Sequence, residues 1–142
     1  MSQESIELLK NTRLFSQFSN QECKSVLKMS KTRDFSAEST IVEEGDVGGV
    51  GFYLVLDGEV EVRKKDKVLA KLGKGEFFGE MALLLEKDTP RSADVVAISD
   101  TKCLLLSRWD FRGLIKSHPE MAIKMMAALA ERLSTTHTTL SE

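Results

Sequence analysis

Eight of the nine glycines of this 142-residue chain fall between positions 45 and 79. The flanking stretches are poor in glycine and rich in helix formers. Glycine suits a backbone that must turn sharply and weakens a helix interior. The distribution therefore predicts helix, then short strands joined by turns, then helix. No helical stretch separates most of the strand candidates, so the middle region reads as a sandwich or jelly roll.

The first region supplies Ile6, Leu8 and Leu9, then Leu14, Phe15 and Phe18. Ser19-Asn-Gln-Glu22 is a capping-box pattern, and Cys23, Val26, Leu27 and Ser30 share one helical face behind it. From about residue 32 to 107 the strand candidates are Thr40-Ile-Val, Phe52 to Leu56, Glu59 to Arg63, Val68 to Leu72, Ser92 to Ile98 and Cys103 to Leu106. Asp57-Gly58 reads as a hairpin turn, since both positions can adopt positive φ. The charge run Arg63-Lys-Lys-Asp-Lys67 reads as a solvated hairpin tip. Helix returns with Trp109, Phe111, Leu114 and Ile115. Ser117-His-Pro-Glu120 is a second capping-box pattern. A long helix follows through Ala122, Met126, Leu129 and Leu133, and the same spacing continues to Thr136 and Leu140. That seam suggests pairing with a second copy of the chain.

The net charge of −2 provides no basic field for nucleic acid, so an anionic ligand must be met by local cations. No apolar run approaches the roughly 20 residues of a membrane span. Met-Ser-Gln-Glu-Ser lacks the basic and apolar regions of a signal peptide. Cys23 and Cys103 sit in apolar patterns, which fits a reducing cytoplasm. Neither these nor His118 and His137 have zinc-ligand spacing, and no cofactor is expected.

Phe78 to Ala93 carries the chemistry. Gly79 and Glu80 stand at a helix start, followed by Met81, Ala82, Leu83 and Leu84, a polar loop, and Arg91 beside Ser92. A helix start offers free N–H groups, and a guanidinium offers a fork of donors to phosphate oxygens. A carboxylate accepts from a ribose hydroxyl, and Gly79 and Ala82 let backbone approach a ligand closely.

This segment resembles the phosphate-binding cassette of cyclic nucleotide-binding domains, through Phe78, Gly79, Glu80, Ala82, Leu83, Arg91, Ser92, Ala93, Val95 and Ala97. Ile41 to Gly48, with Phe52 to Gly58, is similar to the family's other glycine-rich signature, although Gly49-Val-Gly51 makes the spacing one residue longer than usual. Ser107 to Phe111 is similar to the start of its hinge helix. The resemblance implies a mainly β fold: an eight-stranded antiparallel β-roll with N-terminal helices, an internal cassette helix and two C-terminal helices. It implies one domain over 1–142, with a helical segment at 1–31, the roll at 32–107 with its cassette at 78–93, and hinge and lid helices at 108–142.

It further implies that Glu80 binds the ribose 2′-hydroxyl and Arg91 the cyclic phosphate. Gly79, Met81, Ala82, Ser92 and Ala93 would complete the cradle. The base would lie against Val68 and Leu72. In one bacterial member of the family, base contacts come from late in the long helix, and a gapless alignment through Leu129 and Leu133 puts Thr136 and His137 there. Ser92 leaves cGMP open beside the favoured cAMP. The route outward would run from Leu83 or Leu84 to the hinge helix near Phe111. The expected protein is a non-enzymatic cytoplasmic sensor with a homodimer through its last helix and an effector of unknown identity. The 142 residues end before any helix-turn-helix, leaving a stand-alone sensor or an excised domain. The alternatives are a non-binding interaction module on this fold or the sensor half of a transcription regulator. A catalytic β-roll would need histidines on neighbouring strands, and neither histidine lies in that region.

Overall fold

Ile6 and Leu9 on the first helix face the same core as Cys23, Val26 and Leu27 on the second. In this computed structural model, residues 3–43, 51–84 and 93–141 are described, with side chains to residue 131 apart from those of Met81 and Ala82. Helix α1 spans Gln3–Lys10 and α2 spans Asn20–Met29. The predicted capping box starts α2: Ser19 Oγ accepts from the Glu22 N–H at 3.2 Å, and the Glu22 carboxylate accepts from the Ser19 N–H at 2.8 Å. Between the helices a turn inserts Leu14, Phe15 and Phe18 into the core, with Phe15 edge-on to Phe18 and Phe52.

The middle region forms eight described strands: β1 Lys31–Phe35, β2 Thr40–Val42, β3 Gly51–Asp57, β4 Val60–Lys64, β5 Lys67–Leu72, β6 Phe77–Phe78, β7 Asp94–Ala97 and β8 Thr101–Ser107. They make two four-stranded sheets, ordered β1-β8-β3-β6 and β2-β7-β4-β5, with every pairing antiparallel. This is the expected β-roll. The charged β1 and the two-residue β6 carry too little alternation to read from sequence as separate strands. The glycine-rich stretch 44–50, with its extra residue, lies outside the described residues.

The apolar runs of β3 and β8 are continuous because their sheet is covered on both faces. Phe52, Leu54, Leu104 and Leu106 enter a core shared with the helices. The intervening Tyr53, Val55, Cys103 and Leu105 enter a second core between the sheets, with Val42, Val60 and Val95.

The structure corrects the reading of Asp57-Gly58. Asp57 ends β3 in one sheet and Val60 begins β4 in the other, so this step crosses between sheets and closes no hairpin. Gly58 does take a positive φ of +96°, and a Cβ there would stand 2.6 Å from the Asp100 carbonyl oxygen. An Asp-Gly pair reports that the backbone turns; the tertiary partners decide which strand comes alongside. Arg63–Lys67 does hold a hairpin tip, as expected. Lys65 and Asp66, at φ 50° and 66°, join the paired β4 and β5.

After β8, helix α4 spans Arg108–Ser117, capped by the Ser107 hydroxyl accepting from the Asp110 N–H. Helix α5 spans Pro119–Ser141. It starts one residue later than the Ser117–Glu120 box implies. His118, at φ −134° and ψ 71°, closes α4 by donating its N–H to the Leu114 carbonyl. A residue before proline is driven out of the helical region, and proline favours the first helical position. Met121, Met125 and Ala128 form the buried stripe of α5, whereas Met126, on the expected seam, is exposed.

Candidate functional site

The site is built around the short helix α3, Met81–Leu84, which follows β6 and the Gly79-Glu80 step. Gly79 has a φ of +82°, a left-handed conformation that favours glycine, and this sets the direction in which Glu80 leaves the sheet. The Glu80 carbonyl accepts from the Leu83 N–H at 3.1 Å and opens the helical turn. Leu83 is buried in the core that includes Phe111 and Leu114 of α4. Leu83, Leu84, Phe111, Arg112, Ile115 and Lys116 line a cleft of about 400 Å³ between α3 and α4.

The Glu80 side chain is one-fifth exposed. Its Oε1 accepts from an Arg13 guanidinium nitrogen at 3.1 Å. Its Oε2 is buried and, among the described residues, has no hydrogen-bond donor. A buried acceptor left unmatched costs about 1–3 kcal/mol. A hydroxyl brought by a bound molecule would satisfy it. The Arg13 guanidinium also lies over the Phe77 ring, 5.4 Å from its centre.

Sequence reasoning did not single out Arg13. It stands 67 residues before Glu80, in a turn with no helical or strand period to mark it. A lone cation between Thr12 and Leu14 carries no local signal of its distant partner.

The other expected ligand contacts fall in three places. Ala93 is buried immediately before β7. Val68 and Leu72 do not share a face of β5. A bulge at Leu69 pairs Val68 with Arg63 and Leu72 with Val60. Leu72 therefore packs against the inter-sheet core while Val68 is exposed on the other face, and the two present no common surface to a base. Thr136 and His137 lie on the helical backbone of α5, and their side chains fall outside the described set. Arg91 and Ser92 lie outside the described residues, as does the loop 85–90. The structure thus brings Glu80 together with the N-terminal segment and α3 together with α4.

Among the described residues, no three His, Cys, Asp or Glu side chains are grouped so as to hold a metal ion. No described helix is long and apolar enough to cross a membrane. Burial pushes the Cys103 thiol up to about 12. It pushes the Cys23 thiol up as well.

The family model for the cyclic nucleotide-binding domain matches residues 32–118, from β1 to the end of α4. The chain belongs to that family. It is 37% identical over 130 residues to a cyclic AMP receptor protein of Thermus thermophilus, covering 88% of this chain and 59% of the relative. It is 32% identical over 129 residues to a cGMP-dependent protein kinase of Plasmodium berghei, covering 87% of this chain and 15% of the relative. The chain therefore spans less than two thirds of either relative. Its fold is similar to the N-terminal domain of a transcriptional regulator from Streptomyces coelicolor A3(2), with a TM-score of 0.83, 26% identity and 94% of each chain covered.

Proposed function

We propose that this chain binds a 3′,5′-cyclic nucleotide, cAMP in preference to cGMP, as a ligand-responsive regulatory domain. The observation that carries the reading is the Glu80 carboxylate, with one oxygen paired and the other buried without a donor. A ribose 2′-hydroxyl matches that vacancy, and Arg91 supplies the cation for the phosphate that follows it around the ring. Gly79, Met81, Ala82, Ser92 and Ala93 form the remaining cradle, and Leu72, on the inner face of β5, meets the base. Thr136 and His137 reach it from α5. The role is binding rather than catalysis.

The output runs through α3 and α4. Leu83 shares a core with Phe111, so a ligand that moves α3 changes the packing of α4 and, beyond it, of α5. The ligand shifts this equilibrium only by its differential affinity for the two arrangements. Exposed Ile123 and Met126 on α5 support a homodimer through this helix, with a further effector protein outside it. The setting that fits is the cytoplasm, where cyclic nucleotides are made and read.

Calorimetric titration with cAMP, cGMP and linear AMP tests the reading. The expected order is cAMP tighter than cGMP, with AMP far weaker because its phosphate is not closed onto the ribose. No heat with either cyclic nucleotide overturns it in favour of an interaction module on the same fold.

A further inference from the structure

We infer that Arg13 is a positioning residue of the ribose subsite, holding the Glu80 carboxylate in the one orientation that presents its second oxygen to a ligand hydroxyl. The inference rests on the nucleotide-binding reading above and extends the site into the N-terminal helical segment.

The contact is single. One guanidinium nitrogen reaches Oε1 at 3.1 Å, and Oε2 is left buried without a donor among the described residues. A bidentate fork would have engaged both oxygens and left only their remaining lone pairs for a hydroxyl. Charge is balanced on one oxygen while acceptor capacity is kept on the other.

Both partners are held in place. Arg13 lies between buried Thr12 and Leu14, and the Thr12 hydroxyl donates to the Leu9 carbonyl at 2.6 Å. Its guanidinium is steadied by the Phe77 ring, which itself stacks on Phe52 at 5.6 Å between centres. Glu80 leaves β6 through the left-handed Gly79. A pair between freely rotating surface side chains contributes little, because ordering both offsets the attraction. Here Arg13 is only partly exposed, and its turn and the aromatic ring have already restricted it. Without Arg13 the carboxylate would lose its described donor and could turn either oxygen toward the protein. A hydroxyl would then meet a disordered acceptor.

The test is a set of titrations with cAMP and 2′-deoxy-cAMP on wild type, Arg13→Ala, Arg13→Lys, Glu80→Gln and the Arg13→Ala/Glu80→Gln double variant. Arg13→Ala should weaken cAMP about three- to tenfold, the range expected for coupled neighbours, and 2′-deoxy-cAMP less than twofold. Arg13→Lys should recover most of the cAMP affinity, since a single donor suffices. The double variant should bind cAMP no more weakly than Glu80→Gln alone. Equal losses for both ligands, or additive losses in the double variant, overturn the inference and make Arg13 a support of the fold only. Thermal unfolding run alongside identifies such a case, and Arg13→Lys keeps the test open where the alanine variant fails to fold. A wild type that binds neither nucleotide overturns the nucleotide reading itself. A wild type that binds both, with variants that do not discriminate between them, overturns the Arg13 assignment alone.

Discussion

At Gly58 the chain leaves one sheet for the other with a φ of +96°, and a Cβ would meet the Asp100 carbonyl and the Thr101 side chain at 2.6 Å. Gly58→Ala combines left-handed strain with a backbone clash, so it should destabilise the fold by about 1–3 kcal/mol, read as a lower urea midpoint. An unchanged midpoint would mean that the crossing relaxes freely. Arg91 is the other residue on which much depends. If it meets the phosphate, Arg91→Ala leaves a desolvated charge without its partner and should weaken cAMP by about 2–5 kcal/mol. Arg91→Lys should also bind poorly, because an ammonium cannot reproduce the planar fork. Titration within threefold of wild type for the alanine variant would remove Arg91 from the site.

Among the elements, α2 and α5 are tied by one carboxylate. Glu22 closes the cap of α2 and also accepts from the Lys124 ammonium of α5. Burial pushes this carboxyl up, but the Lys124 and Ser19 hydrogen bonds outweigh it and hold it below its ordinary value of 4.5. A carboxyl depressed in the folded state stabilises the fold above its unfolded pKa and loses that contribution as pH falls through the folded one. Glu22→Gln keeps a capping side chain but loses the charge. It should cost about 0.5–1 kcal/mol at neutral pH, the scale of a partly exposed pair. The difference in Tm from wild type should narrow as pH falls below 4.5, where Glu22 becomes protonated. A difference that stays constant across that range would assign the loss to packing instead.

The whole molecule is organised around a sheet with two covered faces. Leu54 looks into the helix-side core and Val55 into the inter-sheet core, and both are fully buried. The two cores therefore share a backbone, and neither can open without exposing the other. Leu54→Ala should cost about 2–5 kcal/mol, and Val55→Ala should also destabilise. In both variants, far-UV circular dichroism and near-UV circular dichroism of the buried Tyr53 and phenylalanines should report one coincident transition. Separate transitions would show that the helices and the roll unfold independently.

Glycine spacing and the contrast between continuous and alternating apolar runs determined the helix–roll–helix order, because turns and half-buried faces impose local patterns. The Ser19–Glu22 box and the Lys65-Asp66 tip were legible for the same reason: their partners are neighbours in sequence. Glu80 was legible as a ligand candidate because glycine, acid and small residues stand together at a helix start. Tertiary structure alone decided that Asp57-Gly58 crosses between sheets, that Met121 and Met125 rather than Met126 face inward, and that Arg13 meets Glu80. Each of these depends on contacts between segments far apart in the chain. No residue pattern along one segment encodes which surface another segment will bring against it.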